Sequence, residues 1–270
     1  MQTQTRKCEV FRALHHSGEA FIVPNPCDIG TAKLLQGLGF KALATTSVGF
    51  AYTHGLADGG VTLDVVLAFC TELAKSTAIP VAVDFENGFA DTPAGVASNI
   101  ARLAATGVAG GSIEDFDGAT GKIYDFNQAV ERVQAAVEAV RKLGMPFMLT
   151  ARAENLFRNG GDVEDTIKRL QAYETAGADV LYAPAIRSLS QLRQVTAELR
   201  APFNVLAPFI KGASVAELHT HGATRVSLGG ALTWHAVSPV LRAAREMLTQ
   251  GTFGWTDDMA AKQEVMKLIS

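Results

Sequence analysis

Acidic side chains recur in this sequence directly after short apolar runs. Val81-Ala82-Val83 leads into Asp84-Phe85-Glu86, Gly110–Ile113 into Glu114-Asp115, and Phe147–Ala151 into Arg152-Ala153-Glu154. A further run, Ala42–Thr46, continues into Ser47-Val48-Gly49 and then Asp58. If these run ends share one mouth, their carboxylates converge there with the Arg152 guanidinium. Like charges in a partly buried mouth repel one another and raise their pKa values unless a cation neutralises them. Oxygen donors with no His or Cys among them favour Mg2+, or Mn2+, over zinc. Because Mg2+ commonly takes one or two protein carboxylates and keeps several waters, Asp84 is expected to ligate it directly. Glu86 and Glu114 are expected to act directly or through water. Arg152 can fork onto a substrate carboxylate.

Thr46, Ser47 and Val48 offer hydroxyls and backbone N–H groups that suit a carboxylate or a developing enolate oxygen. An ST-turn accounts for the same hydroxyls. A single Asp or Glu after a strand is often a helix N-cap or part of a surface ion pair. Asp84 and Glu114 together, each following a strand directly, weight the reading towards a site. Asp91, before Thr92-Pro93, reads as a turn or N-cap residue. Lys122 and Tyr124 fall in the glycine-punctuated stretch Asp117–Tyr124, which either closes over the mouth and offers a catalytic acid or is a surface loop. Ser227-Leu228-Gly229-Gly230 lies where barrels often bind phosphate. Apart from His54, the histidines fall outside this set.

These positions need a scaffold that brings strand ends together. Eight apolar runs read as buried parallel strands: Ala20–Pro24, Ala42–Thr46, Val81–Asp84, Gly110–Ile113, Phe147–Ala151, Val180–Ala183, Phe203–Leu206 and Arg225–Leu228. Between them, Leu63–Ser76, Pro93–Thr106, Asn127–Leu143, Val163–Ala176 and Leu189–Leu199 carry apolar residues at helical spacing. Gly39, Gly107, Gly177 and Gly222 sit where a left-handed residue would end a helix and feed the next strand. The repeated step predicts an α/β fold, a (β/α)8 TIM-type barrel, with the site at the C-terminal ends of its strands. The turn Pro24-Asn25-Pro26-Cys27-Asp28 lacks the glycine fingerprint of a dinucleotide-binding sheet. A last helix over about Ala231–Leu248 and an amphipathic segment, Trp255–Leu268, complete one domain over residues 1–270, with a helical extension from about 250.

The 270 residues, 48% hydrophobic and 19% charged, suit one large soluble domain. A formal net charge of −3 without a basic run gives no reason to expect nucleic acid or an anionic membrane as partner. Cys8, Cys27 and Cys70 have neither metal-ligand spacing nor an even count. With no apolar leader and no membrane-length apolar run, a cytoplasmic location and a small-molecule partner are expected.

Along nearly its whole length the chain resembles the isocitrate lyase and phosphoenolpyruvate mutase superfamily. The resemblance rests on Thr46-Ser47-Val48-Gly49 with Asp58 downstream, Val83-Asp84-Phe85-Glu86-Asn87-Gly88-Phe89, Ser112-Ile113-Glu114-Asp115 and Thr150-Ala151-Arg152-Ala153-Glu154. Carried over, it implies Asp84 as the principal metal carboxylate, Glu86 and Glu114 as the second and third acidic positions, and Arg152 as the arginine for the substrate carboxylate. Thr46-Ser47-Val48 matches the segment that grips carboxylate and enolate oxygens, with Asp58 beside it. The Lys-Arg/Lys-Cys-Gly-His loop of the isocitrate-type lyases is replaced by Asp117–Tyr124, without Cys or His, so isocitrate lyase activity itself is not expected. Ser112 stands where a His is frequent, Pro184 where those lyases carry a glutamate, and Leu206 where they carry an asparagine. The resemblance implies a Mg2+-dependent lyase or decarboxylase acting on a small 2-oxo acid, or its C3 adduct, through an enolate. A phosphonopyruvate hydrolase or phosphoenolpyruvate phosphonomutase-like enzyme, and a non-catalytic 2-oxo acid binding protein, are the alternatives. It also implies a homodimer or homotetramer whose eighth helix is swapped between subunits.

Overall fold

The computed structural model describes residues 2–158 and 160–270. Its strands are β1 (Phe21–Val23), β2 (Leu43–Ala44), β3 (Val81–Asp84), β4 (Gly110–Glu114), β5 (Phe116–Asp117), β6 (Lys122–Ile123), β7 (Met148–Arg152), β8 (Val180–Tyr182), β9 (Phe203–Leu206) and β10 (Arg225–Ser227). All but β5 and β6 form one parallel eight-stranded sheet in the order β1-β10-β9-β8-β7-β4-β3-β2. The remaining gap is spanned where the Ala44 N–H donates to the Pro24 carbonyl at 3.2 Å. Asn25 Nδ2 donates to the Thr45 carbonyl at 2.9 Å across the same seam. The result is the expected near-closed TIM-type barrel. Gly39, Gly107, Gly177 and Gly222 all take the left-handed conformation that the helix-to-strand step requires, with φ between 97° and 99°.

Alternation along the strands divides the side chains between two environments. Val83, Ile113, Leu149, Leu181, Val205 and Val226 point outward and pack with Ile100, Leu103, Val133, Leu170 and Leu192 of the surrounding helices. Inward-facing residues close the N-terminal end of the barrel, where Val23, Ala82, Met148 and Val180 meet Cys8 and Phe11. Those two belong to a helix over Gln4–His15 that plugs this end, an element the polar N-terminal sequence did not disclose. Lys7 anchors it by donating to the carbonyls of Ala74 and Thr77 at 2.7 and 2.6 Å.

One further element differs from expectation. β5 and β6 pair as an antiparallel hairpin in the stretch read as a loop after the fourth barrel strand. The C-terminal extension is a short 3-10 turn, Gly254–Asp258, and a helix, Lys262–Ile269, which packs on the chain's own helix Ile29–Gly37. Gly37 lies so close to the Leu268 backbone that a Cβ there would collide with it, so this docking needs glycine.

Candidate active site

At the C-terminal end of the barrel a cavity of about 440 Å³ opens between the strand ends. Asp58, Asp84, Arg152, Arg158 and the Thr46–Val48 segment line its upper wall. Asp84 ends β3, and its backbone N–H donates to Thr45 Oγ1 at 3.0 Å. Its Oδ2 accepts from both the backbone N–H and the hydroxyl of Ser47, at 3.2 and 3.1 Å. The Asp84 Oδ1 atom is buried and has no hydrogen-bond partner; Arg152 Nη1 lies 3.5 Å away. Thr46 caps the helix Ser47–Thr53 by accepting from the Gly49 N–H, so its hydroxyl serves local structure as the turn reading anticipated.

Arg152 is the hub of the ion pairs at this wall. It pairs through Nη1 with Glu114 at 3.3 Å and through Nε with Glu154, which in turn pairs with Arg158 Nε at 2.9 Å. Burial opposes its charge, but Glu114 and Glu154 hold it cationic. Glu154 is itself fixed from below: its N–H donates to Asp115 Oδ1 at 2.7 Å, and Asp115 accepts from Tyr173 and pairs with Arg169.

Five carboxylates, those of Asp58, Asp84, Glu86, Glu114 and Glu154, therefore surround two guanidiniums, Arg152 and Arg158. The excess of negative charge shows in their ionisation. Burial, with the charges of Asp84 and Asp58, pushes Glu86 up to about 8. Burial likewise raises Asp58 and Glu114, against the pull of the Ser47 hydroxyl on the first and Arg152 on the second. Glu86 is held in the left-handed region at φ 46°, a conformation costly for a non-glycine residue and fixed here by its carbonyl accepting from the Glu114 N–H.

The arrangement fits a hard divalent cation in one specific way. Among the described residues no three His, Cys, Asp or Glu side chains converge on a single ion position. Direct chelation by Asp84, Glu86 and Glu114 together is therefore not the geometry present. Asp84 offers the oxygen without a hydrogen bond, and Asp84 and Glu86 both line an adjoining pit of about 10 Å³, room for about one water. Glu114 sits behind Arg152 and lines neither space. One direct carboxylate with further acids acting through water is the coordination Mg2+ favours.

The hairpin carries Lys122 and Tyr124 away from the cavity wall. Lys122 is exposed. The buried Tyr124 hydroxyl bonds Asn87 and Asp91 at 3.0 and 2.9 Å, and Arg132 stacks on its ring. Burial pushes the Tyr124 phenol up to about 12. Asp91 is thus a partner of this network, while Thr92 caps the following helix. In the Ser227–Gly230 segment the N–H groups of Leu228 and Gly229 both donate to Asn25 Oδ1, at 2.7 and 3.0 Å, so these two are not free for phosphate.

Several lining residues were not singled out from the sequence: Asn25, Arg158, Thr150, Asn204 and Arg225. A strand-period reading would have reached some of them. Thr150 lies two residues before Arg152, and Arg225 two before Ser227, on the same inward face.

A family model described as phosphoenolpyruvate phosphomutase matches residues 11–248. The 2-methylisocitrate lyase of Escherichia coli (strain K12) is 34% identical over 209 residues, covering 70% of this chain and 69% of that one. This chain belongs to the isocitrate lyase/phosphoenolpyruvate mutase superfamily. Members of that superfamily are Mg2+-dependent lyases and mutases, and solved structures carry the likeness through the whole barrel. A Burkholderia cenocepacia J2315 protein, described provisionally as a lyase/mutase, superposes with a TM-score of 0.95 at 46% identity, over 99% of this chain and 96% of that one. The superfamily member 2,3-dimethylmalate lyase superposes with a TM-score of 0.86 at 28% identity, over 100% and 96%. No helix of the described residues is long and apolar enough to cross a membrane.

Proposed function

We propose that this superfamily member is a Mg2+-dependent lyase or decarboxylase that acts on a small 2-oxo acid, or its C3 adduct, through an enolate, and that it is not an isocitrate lyase. The observation that carries the reading is the buried Asp84 Oδ1, which faces Arg152 at 3.5 Å but accepts no hydrogen bond, at the edge of a cavity with an excess of carboxylates. Asp84 would hold the ion directly, with Glu86 and Asp58 acting through its waters. Bound there, Mg2+ supplies a Lewis acid that draws electron density from the 2-oxo group and lowers the pKa values of the surrounding acids.

The chain's own residues supply orientation. Ser47 aims Asp84, Glu154 and Glu114 fix the plane of Arg152, and Arg152 with Arg158 offers guanidinium donors to the substrate carboxylate. Val48 lines the cavity beside them, where a developing oxyanion would meet its backbone N–H. Similarity to proteins named 2-methylisocitrate lyase and 2,3-dimethylmalate lyase supports carbon–carbon chemistry. A second reading, cleavage or transfer at a phosphonate P–C bond, is favoured by the three guanidiniums on the cavity wall, those of Arg152, Arg158 and Arg225.

Assembly as a homodimer or homotetramer through an exchanged eighth helix forms part of the proposal. The helix Ala231–Gln250 buries only Thr233, while Val240 and Leu248 are 65% and 86% exposed.

Thermal shift and turnover with oxaloacetate, 2-oxoglutarate, methylisocitrate and phosphonopyruvate, each with and without Mg2+, test the function. Mg2+-dependent turnover of a carbon acid supports the lyase. Turnover of phosphonopyruvate alone moves the protein to P–C chemistry, and stabilisation without turnover makes it a binding protein.

A further inference from the structure

Below the layer of Asp84 and Arg152 the cavity descends into the barrel, because the inward positions of β3 and β4 carry the small residues Ala82 and Ser112. At its floor stands Arg225, which is only 6% exposed. Its Nε donates to Asn204 Oδ1 at 2.8 Å and its Nη2 to Thr150 Oγ1 at 3.1 Å; its Nη1 meets His15 Nε2 at 3.5 Å. His15 carries no compensating charge: its Nδ1 lies 2.8 Å from the Phe11 carbonyl, and burial with the nearby guanidinium pushes it down to about 3.

Among the described residues no carboxylate pairs with Arg225. Burial lowers its pKa, to about 10, which leaves the guanidinium charged at neutral pH. A guanidinium has five N–H donors, and three are engaged in the contacts above. A buried, unpaired cation is costly for a fold to retain, and this one faces an open cavity rather than packed apolar side chains.

We propose that this floor, built on Arg225 with Thr150, Asn204 and Ser227, is an anion subsite that takes the distal carboxylate of a dicarboxylic substrate. The inference rests on the 2-oxo acid reading of the upper site and adds the identity of the far end. Arg225 reaches Thr150, which lies two residues before Arg152 on β7, so the two arginines act at levels one inward position apart, a rise of roughly 6.6 Å along the strand. That spacing suits a short dicarboxylic acid with one end at Arg152 and the other at Arg225. The surroundings of Arg225 are neutral amide and hydroxyl groups, so a monoanion balances it; a phosphonate dianion would add charge to a cavity already rich in carboxylates.

The test is Mg2+-dependent binding to the full chain, by calorimetry, of pyruvate, oxaloacetate, oxaloacetate 4-methyl ester and phosphonopyruvate. Wild type is expected to bind oxaloacetate roughly tenfold or more tightly than pyruvate or the ester, the value of a charged hydrogen-bonded pair. Arg225→Met is expected to erase that preference, and Arg225→Lys to restore part of it. The comparison of diacid with ester needs only wild type, so it stands even if a variant fails to fold. Pyruvate binding without a diacid preference, or a preference that survives in Arg225→Met, overturns the subsite alone. Failure of pyruvate to bind removes the 2-oxo acid reading and this inference with it. Tighter binding of phosphonopyruvate than of oxaloacetate, lost in Arg225→Met, overturns the carboxylate assignment in favour of a phosphonate.

Discussion

Asp84 is gripped on one oxygen by Ser47 and left without a hydrogen bond on the other, so it is where residue-level chemistry is most exposed to test. Asp84→Ala is expected to abolish the Mg2+-induced rise in melting temperature and to lower metal-dependent turnover by roughly a hundredfold or more; an undiminished shift in that variant sinks the metal assignment. His15 gives a pH prediction of defined sign. Burial, with Arg225 beside it, depresses its pKa from 6.5 to about 3. The unfolded chain therefore takes up a proton that the folded chain refuses, and stability falls as pH drops from about 6.5 towards about 3. His15→Gln is expected to flatten that limb of a stability-versus-pH curve measured by urea unfolding. An equally steep limb in the variant would assign the acid sensitivity to other groups.

Two elements were not anticipated, and each has a role that can be measured apart from the site. The helix Gln4–His15 closes the barrel end opposite the cavity and buries Phe11 completely. Phe11→Ala is expected to cost about 3 kcal/mol or more in urea unfolding, with the Mg2+-induced shift preserved because the plug and the site occupy opposite ends. The hairpin of β5 and β6 ends next to Tyr124, whose hydroxyl joins Asn87 to Asp91 beneath the loop that carries Glu86. Tyr124→Phe is expected to destabilise the protein by about 1–3 kcal/mol while turnover persists; a loss of turnover without a loss of stability would restore Tyr124 as a catalytic acid. The helix was hidden because its apolar contacts, Cys8 and Phe11, are few and flanked by Lys, Arg and Glu. The hairpin was hidden because its strands are two residues each, below the length at which alternation can be read.

For the whole molecule, the open question is what covers the helix Ala231–Gln250. Its exposed Val240, Leu241 and Leu248 make an apolar face. Sedimentation is expected to give a dimer or tetramer, and Val240→Glu with Leu248→Glu to shift it towards smaller species. A monomeric wild type would remove the exchanged-helix proposal.

The sequence by itself determined the barrel and the roof of the cavity. Strand runs, helix-ending glycines and carboxylates directly after strands are local signals, and in a parallel barrel every strand end faces the same mouth. It therefore placed Asp84, Arg152, Asp58 and the Thr46–Val48 segment on one wall, where the structure has them. Only the tertiary structure decided which acids face the open space and which stand behind, because Glu86 and Glu114 differ by the left-handed turn at Glu86 and by the ion pair to Arg152. It alone disclosed the floor. Arg225 meets Thr150 and His15, 75 and 210 residues away in the chain; contacts across the inside of a barrel have no local pattern, since the strand order brings together residues that no short window of sequence contains.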